Sequence, residues 1–226
     1  MEADIECVVV GALETNCWLY PLETVPGSPG RRPCVVIDPG DDAGAIVSRL
    51  GELSWFPLYV FLTHGHLDHL AALPALLDAY SGALPKIGIH RLDAHYLGEN
   101  SLALHRESFS AGGGSPAFVD ALWKPLPGPD LLFEDGGTAG PFRVLHLPGH
   151  SPGSAGFYDE KANVLFSGDT LFRDGWGRTD LPGGNLGEMR QSLRRLLSMK
   201  KETGVFPGHG AETTVRETSG ALLHIT

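Results

Sequence analysis

Residues Thr63 to His69 read Thr-His-Gly-His-Leu-Asp-His and place three imidazoles and one carboxylate within six positions. Neutral imidazole nitrogen and carboxylate oxygen are donors that zinc, iron and manganese accept. The segment follows the run 58–62, Leu-Tyr-Val-Phe-Leu, which is short, apolar and aromatic and therefore predicts a buried strand. The cluster is thus expected at the end of a strand, on the edge of a sheet, where it could bind a metal.

Three later loops have the same form, in which an apolar run leads into a glycine-containing turn with one metal-type side chain. These side chains are His150, Asp169 and His209. Glycine lets the backbone turn sharply and approach a bound ion closely. Seven such donors in four loops are suited to two adjacent metal ions.

The elements that must position these loops alternate between strands and helices. Helices are predicted over 43–53, 70–80 and 186–199, and another is predicted to begin at 93–97. Strands are predicted at 4–10, 16–20, 34–37, 58–62, 86–90, 131–133, 142–147, 156–158, 164–166 and 204–206. Strands followed by helices, twice over, favour a core of two sheets with helices outside.

Residues 98 to about 130 are the least regular part of the chain. The runs Ala111–Pro116 and Pro125–Pro129 are rich in glycine and proline and predict flexible or non-helical backbone. A long irregular insertion in a compact domain is often a lid or a binding loop, and a plain surface excursion is the alternative. No linker divides the chain, so residues 1–226 are expected to form one domain that carries this insertion.

Composition restricts the partners and the compartment. The formal net charge of -10 gives a phosphate-rich partner little electrostatic help, which disfavours a nucleic-acid function. No apolar run approaches the length of a membrane span, and the N-terminus is acidic where a secretory signal would be basic. The protein is therefore expected to be cytoplasmic, with Cys7, Cys17 and Cys34 reduced and buried. The sequence leaves the oligomeric state open.

The order of the donor loops resembles the metallo-β-lactamase superfamily, whose mark is His-x-His-x-Asp-His followed by separate His, Asp and His loops. The resemblance covers essentially the whole chain and implies an α+β fold. That fold is an αββα sandwich of two mixed β-sheets with helices on the outside and metals at one edge between the sheets. By position, the resemblance assigns His64, His66 and His150 to a first metal and Asp68, His69 and His209 to a second, with Asp169 bridging both.

Within the superfamily, the runs 168–172 and 177–184 resemble the short bacterial type of glyoxalase II, a hydroxyacylglutathione hydrolase. Longer glyoxalases II carry a C-terminal helical domain that grips glutathione. Only 17 residues follow His209, so no such domain is expected, and the thiol carrier stays open. Asp169 stands where one branch of the lactamases places a cysteine, and another branch lacks the bridging acid, which disfavours antibiotic hydrolysis.

The expected function is a dinuclear metal-dependent hydrolase of thioesters, of the S-(2-hydroxyacyl)glutathione type, with a metal-bridging hydroxide as nucleophile. Two divalent cations lower the pKa of water from ~15.7 to about 7 and make that nucleophile available. Asp68 is expected to orient the hydroxide and Asp169 to hold the two ions together. Zinc is the default metal, and iron or manganese fits the same donors.

Arg178, and after it Arg173, are candidate anchors for a substrate carboxylate, and a structural ion pair with Asp174 or Asp180 is the alternative. His146, on the strand before His150, is expected to pack behind a metal ligand. The histidines outside the motifs are expected to be ordinary surface or helix residues; they are His90, His95, His105 and His224.

Two other functions fit the same motifs. A persulfide dioxygenase of this fold would use a single iron held by His64, His150 and Asp169. A catalytically silent metal-binding module would differ in class, although silent members usually lose ligands and all seven are present here.

Overall fold

The structure is a computed structural model that describes residues 4–23, 30–82 and 84–221, the last three by their backbone alone. Its strands are β1 (Glu6–Val10), β2 (Thr15–Pro21), β3 (Arg32–Ile37), β4 (Trp55–Leu62), β5 (Lys86–His90), β6 (Leu131–Phe133), β7 (Thr138–Ala139), β8 (Phe142–His146), β9 (Ala155–Asp159), β10 (Val164–Gly168), β11 (Gly204–Pro207) and β12 (Thr213–Thr214). Its helices are α1 (Ala43–Glu52), α2 (Leu73–Ala79), α3 (Leu102–Ala111), α4 (Pro116–Leu122), α5 (Leu186–Leu197) and α6 (Val215–Ala221).

The strands form two six-stranded mixed sheets. The first has the order β1-β2-β3-β4-β5-β6, antiparallel up to β3 and parallel from β3 to β6. The second has the order β12-β11-β10-β9-β8-β7, and only β10 and β11 are parallel. The predicted fold class, two mixed sheets with helices outside, is confirmed.

Three apolar clusters separate the layers. Between the sheets, β2, β3 and β4 of one face β8, β9 and β10 of the other through mainly aromatic side chains: Trp18, Tyr20, Phe61, Phe142, Phe157 and Phe166. Helices α1 and α2 cover the outer face of the first sheet, and α5 covers the outer face of the second through Met189, Leu193 and Leu196. Burial of both faces explains why the central strands read as continuous apolar runs rather than alternating ones.

Helix α5 matches its prediction closely because it carries both an apolar stripe and a cap. The side chain of Asn185 accepts hydrogen bonds from the backbone N–H groups of Gly187 (2.8 Å) and Glu188 (3.1 Å), which satisfies two free donors of the first turn. The predicted helix over 70–80 is shorter in the structure. A single 3-10 turn at Leu67–His69 comes before α2, and Pro74 stands in the first turn of α2.

The insertion at 98–130 is more regular than its sequence predicts, because it contains the helical pair α3 and α4. The side chain of Ser115 caps α4 by accepting a hydrogen bond from the backbone N–H of Ala117 (3.3 Å). The rings of Phe109 and Phe118 stack at 4.8 Å and join the two helices. The prediction missed α3 because its fully buried residues, His105 and Ser108, are polar and leave no apolar period to detect.

All the donor loops meet at one edge of the sandwich. Strands β3, β4 and β5 are parallel, so their carboxyl ends lie together, and the ends of β10 and β11 lie together in the second sheet. Backbone hydrogen bonds join the two sheets there, from Ala155 N–H to Thr63 O (2.8 Å) and from Asn16 N–H to Gly208 O (2.7 Å). This seam fixes the distance between ligands that come from different sheets.

The three cysteines are free thiols, as predicted. Cys17 and Cys34 are buried as predicted, but the prediction of a buried Cys7 is wrong, because this residue lies on the edge strand β1 and is exposed.

Within the described ranges, no helix combines the length and the apolar character that crossing a membrane requires.

We predict that Phe61→Ala destabilises the protein by about 3–5 kcal/mol, because Phe61 is fully buried between the sheets and packs on Phe157 and Phe133. Urea unfolding followed by tryptophan fluorescence measures the change. Leu132→Ala is the control, since this side chain is 59% exposed and its loss should cost less than about 0.5 kcal/mol. Equal effects of the two substitutions would contradict the assignment of this layer as the core.

Candidate metal centre

The structure brings all seven predicted ligands together at the edge between the sheets. Four of them follow β4, one lies between β8 and β9, and the others follow β10 and β11; they are His64, His66, Asp68, His69, His150, Asp169 and His209. They form three overlapping sets, and within each set the donor atoms lie within 4.8 Å of one another. The sets are His64, His66 and His150; His64, His69 and Asp169; and Asp68, His69 and His209. The middle set takes one histidine from each outer set, so two cation sites would share Asp169.

Individual distances agree with this grouping. His66 Nδ1 lies 2.8 Å from His150 Nε2, and His69 Nε2 lies 3.3 Å from His209 Nε2. The Asp169 carboxylate reaches histidines of both outer sets, with 3.6 Å to His150 Nε2 and 3.5 Å to both His69 Nε2 and His209 Nε2. Asp68 Oδ2 lies 3.4 Å from His209 Nε2 and 3.6 Å from His69 Nε2.

Four of the five imidazoles are oriented by an oxygen on their Nδ1 side. His150 Nδ1 donates to the carbonyl oxygen of Arg178 (2.7 Å) and His209 Nδ1 to that of Leu13 (3.0 Å). These oxygens can only accept, so Nδ1 of both rings carries the proton and Nε2 presents a lone pair to the site. An acceptor behind the ring is the usual way in which proteins orient histidine ligands of metals.

Asp38 orients the other two rings of this kind. Its carboxylate accepts hydrogen bonds from Thr63 N–H (2.8 Å), Thr63 Oγ1 (2.6 Å) and His69 Nδ1 (3.0 Å). Because the Thr63 hydroxyl donates to Asp38, its oxygen is left to accept from His64 Nδ1 (3.1 Å). Nε2 of His64 and of His69 therefore also face the site, where each can present a lone pair to a cation. The sequence analysis did not single out Asp38, although its place after β3, the parallel neighbour of β4, was an available signal.

Asp93, which follows β5, ties two donor loops together. It is completely buried and accepts hydrogen bonds from Gly65 N–H (2.9 Å), Ser151 Oγ (2.6 Å) and Gly153 N–H (2.6 Å). Gly65 lies between His64 and His66, and Ser151 directly follows His150. One carboxylate thus sets the spacing between the two loops of the first set. Sequence reasoning missed this residue, since no motif surrounds it.

Charge at the site is balanced between imidazoles and carboxylates. Burial alone would raise the pKa of Asp68, but His69 and the hydrogen bond from His209 lower it to about 2. Burial would lower the pKa of His69, yet the carboxylates of Asp169, Asp68 and Asp38 raise it well above its usual value. Burial lowers the pKa of His66 to about 3, with His150 adding to the effect. The centre therefore keeps its carboxylates ionised and stabilises positive charge among them.

Glycine is required where the loop of His209 passes the other ligands. A Cβ atom on Gly208 would lie 2.3 Å from Asp169 Oδ1 and 2.7 Å from His69 Cε1, both too close for real contacts. Glycine was predicted to let the backbone approach the metal site closely, and Gly208 has this role.

A cavity of about 340 Å³ opens onto the ligands. Its floor is formed by five of them: His66, Asp68, His150, Asp169 and His209. Its walls are largely apolar and include Leu13, Leu67 and Leu181, and the insertion contributes His105, Ser108, Phe109, Gly112 and Gly114. The insertion is thus a wall of the cavity rather than a surface excursion.

The two candidate arginine anchors lie in different places. Arg178 lines the cavity, where Nε and Nη2 pair with Asp180 (2.7 and 2.8 Å) and Nη1 donates to the carbonyl oxygen of Gly112 (3.3 Å). It therefore makes the Asp180 ion pair named as the alternative and also holds the insertion. Arg173 donates to the carbonyl oxygen of Glu212 (2.6 Å) and lines a separate depression.

The histidines outside the motifs are less ordinary than predicted. His146 packs behind the His150 loop, as expected, and its Nε2 donates to the carbonyl oxygen of Pro152 (2.8 Å). Its ring stacks on His90 at 4.2 Å, and His90 and His105 are both buried. His95 is exposed, and His224 lies outside the described residues.

Comparison with known proteins gives a family match over most of the chain. A family model described as "Metallo-beta-lactamase superfamily" matches residues 10–209. The hydroxyacylglutathione hydrolase GloC of Haemophilus influenzae is 34% identical over 216 residues, which cover 94% of this chain and 93% of that protein.

Two solved structures match almost the whole chain in fold and sequence. The BLEG-1 B3 metallo-beta-lactamase superposes with a TM-score of 0.79 and 32% identity, covering 98% of this chain and 99% of that one. TTHA1623 in a di-iron-bound form superposes with a TM-score of 0.74 and 36% identity, covering 95% and 96%.

We predict that Asp93→Ala lowers the free energy of unfolding by about 3 kcal/mol or more, because it leaves the buried N–H groups of Gly65 and Gly153 without an acceptor and removes one of two hydrogen-bond partners of Ser151 Oγ. Urea unfolding of the metal-free protein measures the loss without a contribution from bound ions. The control is Asp174→Ala, which removes an exposed carboxylate near the same edge and should change stability by less than about 0.5 kcal/mol. A loss at Asp93 no greater than at Asp174 would show that the clamp does not hold the loops.

Proposed function

The chain belongs to the metallo-beta-lactamase superfamily, and on that premise we propose that it is a dinuclear metal-dependent hydrolase of thioesters. The proposed substrate class is S-(2-hydroxyacyl) thiol conjugates of the glutathione type. Similarity to GloC, which is named a hydroxyacylglutathione hydrolase, supports the substrate class. The observation that carries the proposal is the pair of donor sets joined by Asp169 at the floor of one cavity.

The residues present fit two divalent cations. Four rings turn an Nε2 lone pair toward the centre, and among the described residues His64 Nε2 and Asp169 Oδ1 are buried without a hydrogen-bond partner. Buried polar atoms are normally paired, so such atoms indicate a missing ligand. In this proposal His64, His66 and His150 hold one cation, Asp68, His69 and His209 hold the other, and Asp169 contacts both. Zinc suits these donors, and the di-iron form of TTHA1623 makes iron the first metal to test against it.

When bound, two divalent cations supply Lewis acidity and lower the pKa of a water molecule enough to make a nucleophile available near neutral pH. The residues of the protein orient the substrate and the attacking water, and they exclude other water from the cavity. Asp68 stays ionised at neutral pH and lines the cavity, so its carboxylate is placed to accept a hydrogen bond from the attacking water. The apolar walls suit the acyl group and hold the thioester carbonyl against the floor.

Arg178 is the proposed contact for a carboxylate of the thiol carrier. A guanidinium has five N–H donors, of which three are used on Asp180 and Gly112, so donors remain for a substrate at the cavity wall. The ion pair with Asp180 partly neutralises the positive charge that Arg178 would offer to a substrate carboxylate. The contribution of Arg178 to substrate binding is therefore expected to be modest.

A β-lactam is the second candidate substrate, because BLEG-1, named a B3 metallo-beta-lactamase, matches almost the whole chain at 32% identity. Its hydrolysis would use the same floor of the cavity.

We predict two zinc ions per chain and hydrolysis of S-D-lactoylglutathione. Elemental analysis of the protein as isolated and release of glutathione thiol measure the two quantities side by side. Nitrocefin and glutathione persulfide are assayed in parallel to represent the rival activities. One iron per chain with oxygen uptake on the persulfide would overturn the hydrolase proposal. Turnover of nitrocefin alone would replace the proposed thioester substrate with a β-lactam.

We predict that His209→Ala removes about one metal ion per chain and leaves the other in place. His209 belongs only to the set with Asp68 and His69, whereas His69 also belongs to the middle set. Substitution of His69 should weaken binding of the same ion first, but it should also affect the other ion, because His69 belongs to two sets. Elemental analysis after dialysis against a weak chelator gives the stoichiometry, with His95→Ala as a histidine control outside the centre. Equal loss of both ions in His209→Ala would refute this division of ligands.

A further inference from the structure

His105 is a buried histidine that the metal centre does not use. It belongs to α3 of the insertion, is only 2% exposed, and lines the cavity opposite the strand-end ligands. Its Nε2 lies 2.9 Å from the carbonyl oxygen of Tyr96, and its Nδ1 has no hydrogen-bond partner among the described residues. A buried imidazole with one anchored and one unpartnered nitrogen is unusual, since buried polar atoms are normally satisfied.

The anchored nitrogen determines what the other one can bind. The backbone carbonyl oxygen of Tyr96 can only accept, so Nε2 of His105 carries the proton and Nδ1 is left with a lone pair. Burial lowers the pKa of His105 to about 4, and the ring is therefore neutral at physiological pH. The partner that completes this nitrogen is a hydrogen-bond donor, and the largely apolar walls of the cavity favour an uncharged one.

The position of the ring indicates which part of a substrate meets it. Tyr96 packs against both His105 (5.5 Å between ring centroids) and His66 (6.1 Å), so one side chain connects His105 to the first ligand set. His105 and Asp68 line the same cavity, whose floor is formed by the metal-ligand residues. A substrate group that reaches His105 therefore shares this cavity with the reacting carbonyl. The neighbouring walls include the apolar side chains of Leu67, Phe109 and Leu181.

We propose that Nδ1 of His105 accepts a hydrogen bond from the 2-hydroxyl group of the acyl moiety and so selects 2-hydroxyacyl thioesters over simple acyl thioesters. This inference rests on the proposed thioester hydrolysis and assigns its acyl specificity to a residue of the insertion. The 2-hydroxyl is an uncharged donor on the carbon next to the carbonyl, so it shares the cavity with the reacting carbonyl.

The kinetic test compares S-D-lactoylglutathione with S-propionylglutathione, which differ by the 2-hydroxyl group alone. His105→Phe keeps a flat ring and removes both nitrogens. The ratio of kcat/KM for the two substrates should fall about tenfold in the variant, the effect of one neutral hydrogen bond, and the loss should fall on the lactoyl substrate. His95→Phe, at an exposed histidine of the same region, should leave the ratio unchanged. Equal loss on both substrates would overturn the proposal, because the donor would then lie in the thiol carrier or the role would be structural.

A second measurement on the zinc-loaded wild-type protein does not depend on turnover or on the folding of a variant. Nitrogen NMR of labelled histidine should show His105 protonated on Nε2. Addition of D-lactate should shift its Nδ1 resonance, and addition of propionate should not. A ring protonated on Nδ1, or identical responses to the two acids, would overturn the proposal. If the protein cleaved neither thioester, the proposed function would fail, and this spectrum would still decide whether His105 binds the hydroxyl.

Discussion

The orientation of imidazoles by acceptors placed behind them is the constraint on which the rest of this structure depends. A histidine ligand of a metal almost always donates its other ring N–H to an acceptor, which fixes the tautomer and the orientation of the ring. Here those acceptors are the Thr63 hydroxyl, the Asp38 carboxylate and the carbonyl oxygens of Leu13 and Arg178. They come from both sheets and from two loops, so the centre forms only when the whole sandwich is assembled.

The parallel strands explain how such different residues reach one place. Asp38, Thr63 and Asp93 follow three neighbouring parallel strands, and the carboxyl ends of these strands share one edge of the sheet. Thr63 connects this edge to the second sheet through its carbonyl oxygen and connects Asp38 to His64 through its hydroxyl. The layer of aromatic side chains between the sheets keeps the two edges at a fixed distance, because a close-packed interior has few alternative arrangements.

The insertion at 98–130 contributes a wall of the cavity and is linked to the metal centre. Its helix α3 places two polar side chains, His105 and Ser108, on the buried side, whereas the buried side chain of α4, Val119, is apolar. Arg178 links the insertion to the centre at both ends, since its side chain binds Gly112 and its carbonyl oxygen orients His150. A change in the position of the insertion is therefore expected to reach the metal centre through Arg178, and also through Tyr96, which packs on both His105 and His66.

The sequence by itself determined the donors, their strand-end positions and the class of fold, because ligand chemistry and apolar strands leave local patterns. It also indicated that Arg178 lies near the cavity. The acceptors behind the rings were decided only in three dimensions: Leu13 and His209 are 196 positions apart, Asp93 and Ser151 are 58 apart, and a backbone carbonyl has no sequence signature. The helices of the insertion escaped prediction for a related reason. The buried residues of α3 are polar and line the cavity, and the cavity exists only after both sheets and the insertion have packed together.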